Sequence, residues 1–126
     1  MVVLDTVALL YWTIDPEKLS ALARDVNAKA DRLIVSSISV WEIAQKVKRS
    51  RLEIPLEIDE YVSGLNRLDM LEIVAVDVET WLNSVSLEWQ HRDPADRVIV
   101  ATATRLDCPL VSSDRVIGEF YAATVW

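Results

Sequence analysis

Three short apolar runs do most to limit what this chain can become. Val2-Val3-Leu4, Leu33-Ile34-Val35 and Pro109-Leu110-Val111 show no alternation of apolar and polar residues. A strand with one wet face alternates; a strand without alternation is covered on both faces. Between these runs the apolar residues recur at helical spacing instead, as in Leu19, Leu22, Ala23 and Val26, or Ile58, Tyr61, Val62, Leu65 and Leu68. Strands alternating with helices predict an α/β fold with a mainly parallel central sheet. A length of 126 residues fits one domain spanning 1–126, and a hydrophobic fraction of 52% is enough for a sizeable core.

Local signals place the remaining elements. A helical pattern runs over 8–12. Asp15 followed by Pro16 predicts a helix opening there, with Asp15 as its cap. Ser39 with Glu42 three residues on has the form of a capping box, which predicts a helix from Ser39 to Lys48. Residues 72–76 are expected to form a strand, and Asp77 to cap a helix carrying Val78, Trp81, Leu82, Val85 and Trp89. Asp93-Pro94 predicts a helix over 94–106. Strands are expected at 109–112 and through 121–126.

Composition excludes several classes. No apolar stretch approaches the roughly 18 residues of a membrane span, and none is expected. The first dozen residues lack the basic flank and small-residue cleavage site of a secretory leader. Cys108 has no second cysteine to pair with, so a reducing cytoplasm is the expected setting. Cys108 and the lone His91 are too few for a zinc cluster of cysteines and histidines. The net charge of −7 argues against a protein that coats nucleic acid. That charge is uneven: residues 53–79 hold eight acidic residues against the single Arg67, so the rest of the chain is balanced. Within that balanced remainder Lys46, Lys48, Arg49 and Arg51 crowd together.

Four carboxylates attract attention by where the topology sends them. Ligands of open α/β sheets bind beyond the carboxyl ends of the strands. Asp5 follows the first strand, Asp114 follows Leu110-Val111-Ser112-Ser113, and Glu42 and Asp96 lie one turn into helices that start at the same edge. Each has a plain structural reading as well. Asp93, Asp96 and Glu42 suit helix caps and first turns, and Asp5 and Asp114 suit turns after strands. Convergence would change the balance. Two carboxylates about 5 Å apart repel by roughly 3 kcal/mol at an effective dielectric near 20. Several such pairs would rival the whole stability of a domain. Such a cluster needs protons or a cation, and an all-oxygen site suits Mg²⁺ or Mn²⁺.

The stretches LDTVALLYW, SSISVWEIAQKVKRSRLEIP, HRDPADRVIVATA and LVSSD resemble the four motif blocks of PIN-domain ribonucleases, and among them the VapC-type toxins of bacterial toxin–antitoxin pairs. The resemblance runs from Val3 to Trp126, and WEIAQK and DPADR carry most of its specificity. It implies a three-layer α/β/α sandwich and a metal-dependent endoribonuclease leaving 5′-phosphate and 3′-hydroxyl ends. It implies that Asp5, Glu42, Asp96 and Asp114 form the catalytic, metal-holding quartet. Thr6 and Ser112 match supporting hydroxyl positions. Asp93 matches an extra aspartate, expected as a cap first and an outer ligand second. Arg97 matches an arginine expected to contact phosphate or to pack. Lys46, Lys48, Arg49 and Arg51 become candidates to hold the RNA backbone. An antitoxin whose tail brings an arginine or lysine into the acidic pocket, and a homodimer, are further implications.

Two departures from the family pattern stand out. Ser50 replaces a frequent glycine, which suggests a different helix end, and Ala95 replaces a frequent phenylalanine beside Asp96. A competing reading keeps the fold but makes the acidic pocket a socket for a basic partner peptide, without catalysis. Phosphotransfer folds fit poorly: Asp5 has no acidic neighbour, and Asp5-Thr6-Val7 is not the Asp-x-Asp that a dehalogenase-type hydrolase requires.

Overall fold

β1 (Val2–Leu4) lies at the centre of the sheet, where the three buried residues predict it. The computed structural model describes residues 1–126. After β1 come α1 (Thr6–Ile14), a single 3₁₀ turn at Pro16–Lys18, α2 (Ala21–Lys29), β2 (Leu33–Ser36) and α3 (Ser37–Lys48). The chain continues through α4 (Ile58–Asn66), β3 (Leu71–Val74), α5 (Val78–Ser86), α6 (Pro94–Leu106), β4 (Leu110–Val111), α7 (Arg115–Phe120) and β5 (Thr124–Val125). All strand pairs are parallel, in the order β3-β2-β1-β4-β5.

The period-2 geometry of the strands divides the core in two. Val2, Leu4, Leu33, Val35 and Val111 face one side, where they pack with Leu9, Leu19, Ala23, Ile43, Tyr61 and Leu65. Val3, Ile34 and Leu110 face the other, against Ile38, Val98, Ile99, Ala103 and Ile117. Helices therefore cover both faces, as an all-parallel sheet requires, giving three α/β/α layers. α6 is the most enclosed helix, with Ala95 and every residue from Val98 to Ala103 buried.

Several local expectations change in the structure. Asp15 makes no side-chain capping bond, and only one turn follows it; Ser20 caps α2 instead, through a bond from Ala23 N. Proline supplies the right φ for a first turn, but buried Leu19 in extended backbone ends that turn. β2 runs into α3 without a connector, so Ser36 takes the cap and Ser39 falls inside the first turn. The Ser39–Glu42 capping box therefore does not form. β3, β4 and β5 are shorter than expected, β2 is one residue longer, and residues 115–120 make α7. Trp89 lies beyond α5, and the periodic apolar face of α5 points outward: Val78, Trp81, Leu82 and Val85 are exposed, while Thr80 and Ser84 are buried. Small polar residues on the inner face let α5 lie close against α6. No helix is long and apolar enough to cross a membrane.

Candidate active site

The strand order reverses between β1 and β4, because the chain builds β1, β2 and β3 outward on one side and then returns to the other. A crevice at such a switch point is the usual ligand site of an open α/β sheet. Asp5 leaves the carboxyl end of β1, and Asp114 follows β4 across the reversal.

The expected capping roles and the site roles coexist. Asp5 accepts from Ala8 N at 2.8 Å and caps α1. Asp93 accepts from Ala95 N at 2.9 Å and Asp96 N at 3.3 Å and caps α6. Asp114 accepts from Val116 N at 2.8 Å and caps α7. Three helix N-termini, with their partial positive charge, thus open toward one acidic rim. Asp96, freed from capping by Asp93, sits half-buried in the first turn of α6.

Asp5, Asp96 and Asp114 are close enough for their charges to interact. Burial raises the Asp5 carboxyl from 3.8 to about 6; a hydrogen bond from Ser112 and another from Ala8 N oppose the shift, and the Asp96 and Asp114 charges add to it. Burial also raises Asp96, with its hydrogen bond to His91 opposing and the Asp93 and Asp114 charges adding. Ser112 lies beside two of these residues: its hydroxyl opposes the rise at Asp5 and accepts from Asp114 N at 3.0 Å. Thr6 does not reach into the rim: its hydroxyl donates to Ser39 Oγ at 2.9 Å, a buried bond that ties α1 to α3. That bond steadies the helix bearing Glu42.

Glu42 lines a groove of about 460 Å³ shared with Lys46, Arg49, Arg51, Arg92 and Asp93. Its one ion pair, to Lys46 at 3.7 Å, is loose. The tightest set of possible ligand atoms is different from the expected quartet: one each from His91, Asp93 and Asp96 lie within 4.8 Å of one another. Oxygen donors dominate this rim, and they suit a hard divalent cation. The raised Asp5 carboxyl marks a buried charge, with two carboxylates beside it, that a cation would stabilise.

A PIN domain family model matches residues 2–123. The chain belongs to the PIN domain family. It is 30% identical over 129 residues to Ribonuclease VapC22 of Mycobacterium tuberculosis (strain ATCC 25618 / H37Rv), covering 99% of this chain and 98% of that protein. Among solved structures, a toxin–antitoxin complex from Klebsiella pneumoniae is similar over 100% of this chain and 97% of its own, with TM-score 0.70 and 17% identity. FitAcB from Neisseria gonorrhoeae is similar over 100% and 96%, with TM-score 0.58 and 16% identity. At these identities the structural likeness speaks for the fold.

For four further residues of this PIN domain the structure chooses among the expected roles or adds to them. Arg97 takes the packing role, the second of the two expected for it, and is partly buried. Its guanidinium donates to the carbonyl oxygens of Ser84, Val85, Leu87, Trp89 and His91, which uses all five N–H donors and pins the loop after α5. Lys48 lies outside the lining of the basic groove, whereas Arg92 is part of it. His91, excluded as a zinc ligand by its solitude, bonds through Nε2 to Asp96 Oδ2 at 2.7 Å. Both His91 and Arg92 flank the Asp93-Pro94 cap, and that adjacency was the available signal for them.

Proposed function

We propose that this PIN domain is a metal-dependent endoribonuclease, the toxin of a toxin–antitoxin pair. The observation that carries the reading is the acidic rim at the β1/β4 reversal, where burial raises the Asp5 carboxyl to about 6 and the Asp96 and Asp114 charges add to the shift. The 30% identity to a protein named as a ribonuclease supports RNA as the substrate. Asp5, Glu42, Asp96 and Asp114 would hold Mg²⁺ or Mn²⁺ directly or through water. When bound there, such an ion supplies charge stabilisation on a phosphate oxygen and a more acidic water for in-line attack.

The chain's own residues do the rest. Lys46, Arg49, Arg51 and Arg92 line the groove beside Glu42 and Asp93, so a phosphate backbone finds local positive charge on a protein with net charge −7. Asp93 holds the first turn of α6 and so the position of Asp96. Cleavage leaves 5′-phosphate and 3′-hydroxyl ends in this reading.

The same acidic rim favours an antitoxin tail that presents arginine or lysine. The similar structure described as a toxin–antitoxin complex supports such a partner. For the homodimer we assign the outward stripe of α5. Val78, Trp81, Leu82 and Val85 are 74%, 46%, 63% and 78% exposed and recur at i, i+3, i+4 and i+7, the spacing of a helix face that packs on another helix. An isologous contact of this stripe with its own copy needs no charge complementarity. Light scattering should give a dimer for the wild-type chain and a monomer for Leu82→Glu; a wild-type monomer at 100-fold dilution range ends the assignment.

The function is tested by sequencing RNA ends after induction of the wild type and of Asp96→Asn. Discrete new 5′-phosphate ends are expected with the wild type and none with the variant, whose fold should persist. Undiminished cleavage by Asp96→Asn would remove the site from the reaction.

A further inference from the structure

Asp96 has no backbone bond to fix its carboxylate, because Asp93 takes the free N–H groups at the start of α6. The side chain that bonds it is His91, at 2.7 Å, with the two side chains only 24% and 19% exposed. We infer that His91 is a positioning residue, which sets the orientation of Asp96 for cation binding by holding Oδ2 and leaving Oδ1 uncommitted. This inference rests on the nuclease reading above.

The imidazole is itself held at its face and its backbone. One face lies against Trp89, with centroids 4.7 Å apart and planes inclined by 33°. Trp89 stacks on Phe120 at 4.7 Å and 9°. The His91 carbonyl accepts from Arg97 Nη1 at 3.0 Å, and the same guanidinium lies 6.0 Å from the Trp89 ring centre. Phe120 ends α7, the helix capped by Asp114. A ladder of rings therefore runs from the helix that Asp114 opens to the carboxylate of Asp96. A flexible aspartate would lose side-chain freedom on meeting an ion; one already oriented loses less. Hydrogen bonds to ligating groups of this kind are worth about 10–100-fold in metal affinity.

The rival role is direct ligation, since His91, Asp93 and Asp96 each bring one atom within 4.8 Å of the others. The homologous pair His91→Gln and His91→Asn separates the two. Glutamine places its amide N–H about where Nε2 sits; asparagine is one bond too short to reach Asp96.

The experiment is calorimetric titration of Mn²⁺ into the wild type, His91→Gln, His91→Asn and His91→Ala, each checked for fold by circular dichroism, with single-turnover cleavage run in parallel. Affinity within a few-fold of wild type for Gln, with a 10–100-fold loss for Asn and Ala, supports positioning. A fall in kcat with KM for RNA unchanged in Asn supports it further. Equal loss in Gln, Asn and Ala makes His91 a ligand and overturns the inference. Wild-type affinity in a folded Ala or Asn variant overturns it as well. Absence of Mn²⁺ binding by the wild type sinks the nuclease reading, and this inference with it.

Discussion

Asp5 is 5% exposed, and its carboxylate serves as the cap of α1 while sharing a rim with Asp96 and Asp114. Its native carboxyl titrates near 6 against 3.8 for an unperturbed aspartate, so the folded chain holds this proton more tightly than the unfolded chain does. The stabilisation from that proton is full below about pH 4 and is lost as pH rises through about 6. Above that range the buried charge costs the metal-free fold roughly 2–3 kcal/mol. Asparagine caps a helix as well as aspartate does. Asp5→Asn should therefore raise the unfolding free energy at pH 7.5, in chelator, by about 2 kcal/mol, and the gap should close at pH 4. Urea unfolding at both pH values measures it, and a variant less stable than wild type at pH 7.5 would contradict the electrostatic account. A carboxylate of the proposed site is then one that weakens the metal-free fold, as functional carboxylates often do.

At the scale of elements, the end of α3 shows a strained turn where an altered one was expected. Ser50 has φ 56°, and the bonds Ser50 N to Val47 O at 3.1 Å and Arg51 N to Lys46 O at 2.8 Å form a Schellman ending. The serine adopts the left-handed conformation that glycine would take with less strain, so the helix end keeps its geometry while the residue type differs. Ser50→Gly should stabilise the protein by about 0.5–1 kcal/mol, the relieved strain exceeding the added freedom of the unfolded chain. Denaturant midpoints check this, and Mn²⁺ affinity should not move. Ala95, the other departure from the family pattern, is 2% exposed and packed into the α6 side of the core. α5 is the element whose orientation sequence periodicity leaves open. Its apolar stripe has a helix period, but period alone does not say whether the covering surface belongs to the same chain.

For the whole molecule, charge is organised by place. The protein carries −7 overall, yet Lys46, Arg49, Arg51 and Arg92 share one groove with Glu42 and Asp93. Binding of single-stranded RNA to the Asp96→Asn variant should weaken with salt, and each groove cation should contribute about 0.7 to the log–log slope. Arg49→Ala, Arg51→Ala and Arg92→Ala should each lower that slope, while Lys48→Ala should leave it unchanged. An equal effect of Lys48→Ala would show that RNA is held by diffuse charge and not by the groove.

Much of this is written in short-range signals. Apolar runs without alternation specify buried parallel strands; Asp93-Pro94 specifies the start of α6; Asp5 and Asp114 specify carboxylates at strand ends. These depend on periodicity, capping and backbone sterics within a few residues, so the sequence by itself determined them. The strand order that places Asp5 beside Asp114, the partner of Ser39, the outward face of α5 and the bond from His91 to Asp96 were decided only by tertiary structure. Each joins groups whose meeting depends on how helices pack across the sheet or on how a loop is pinned by Arg97, and local sequence preference carries no information about that packing until the whole core has closed.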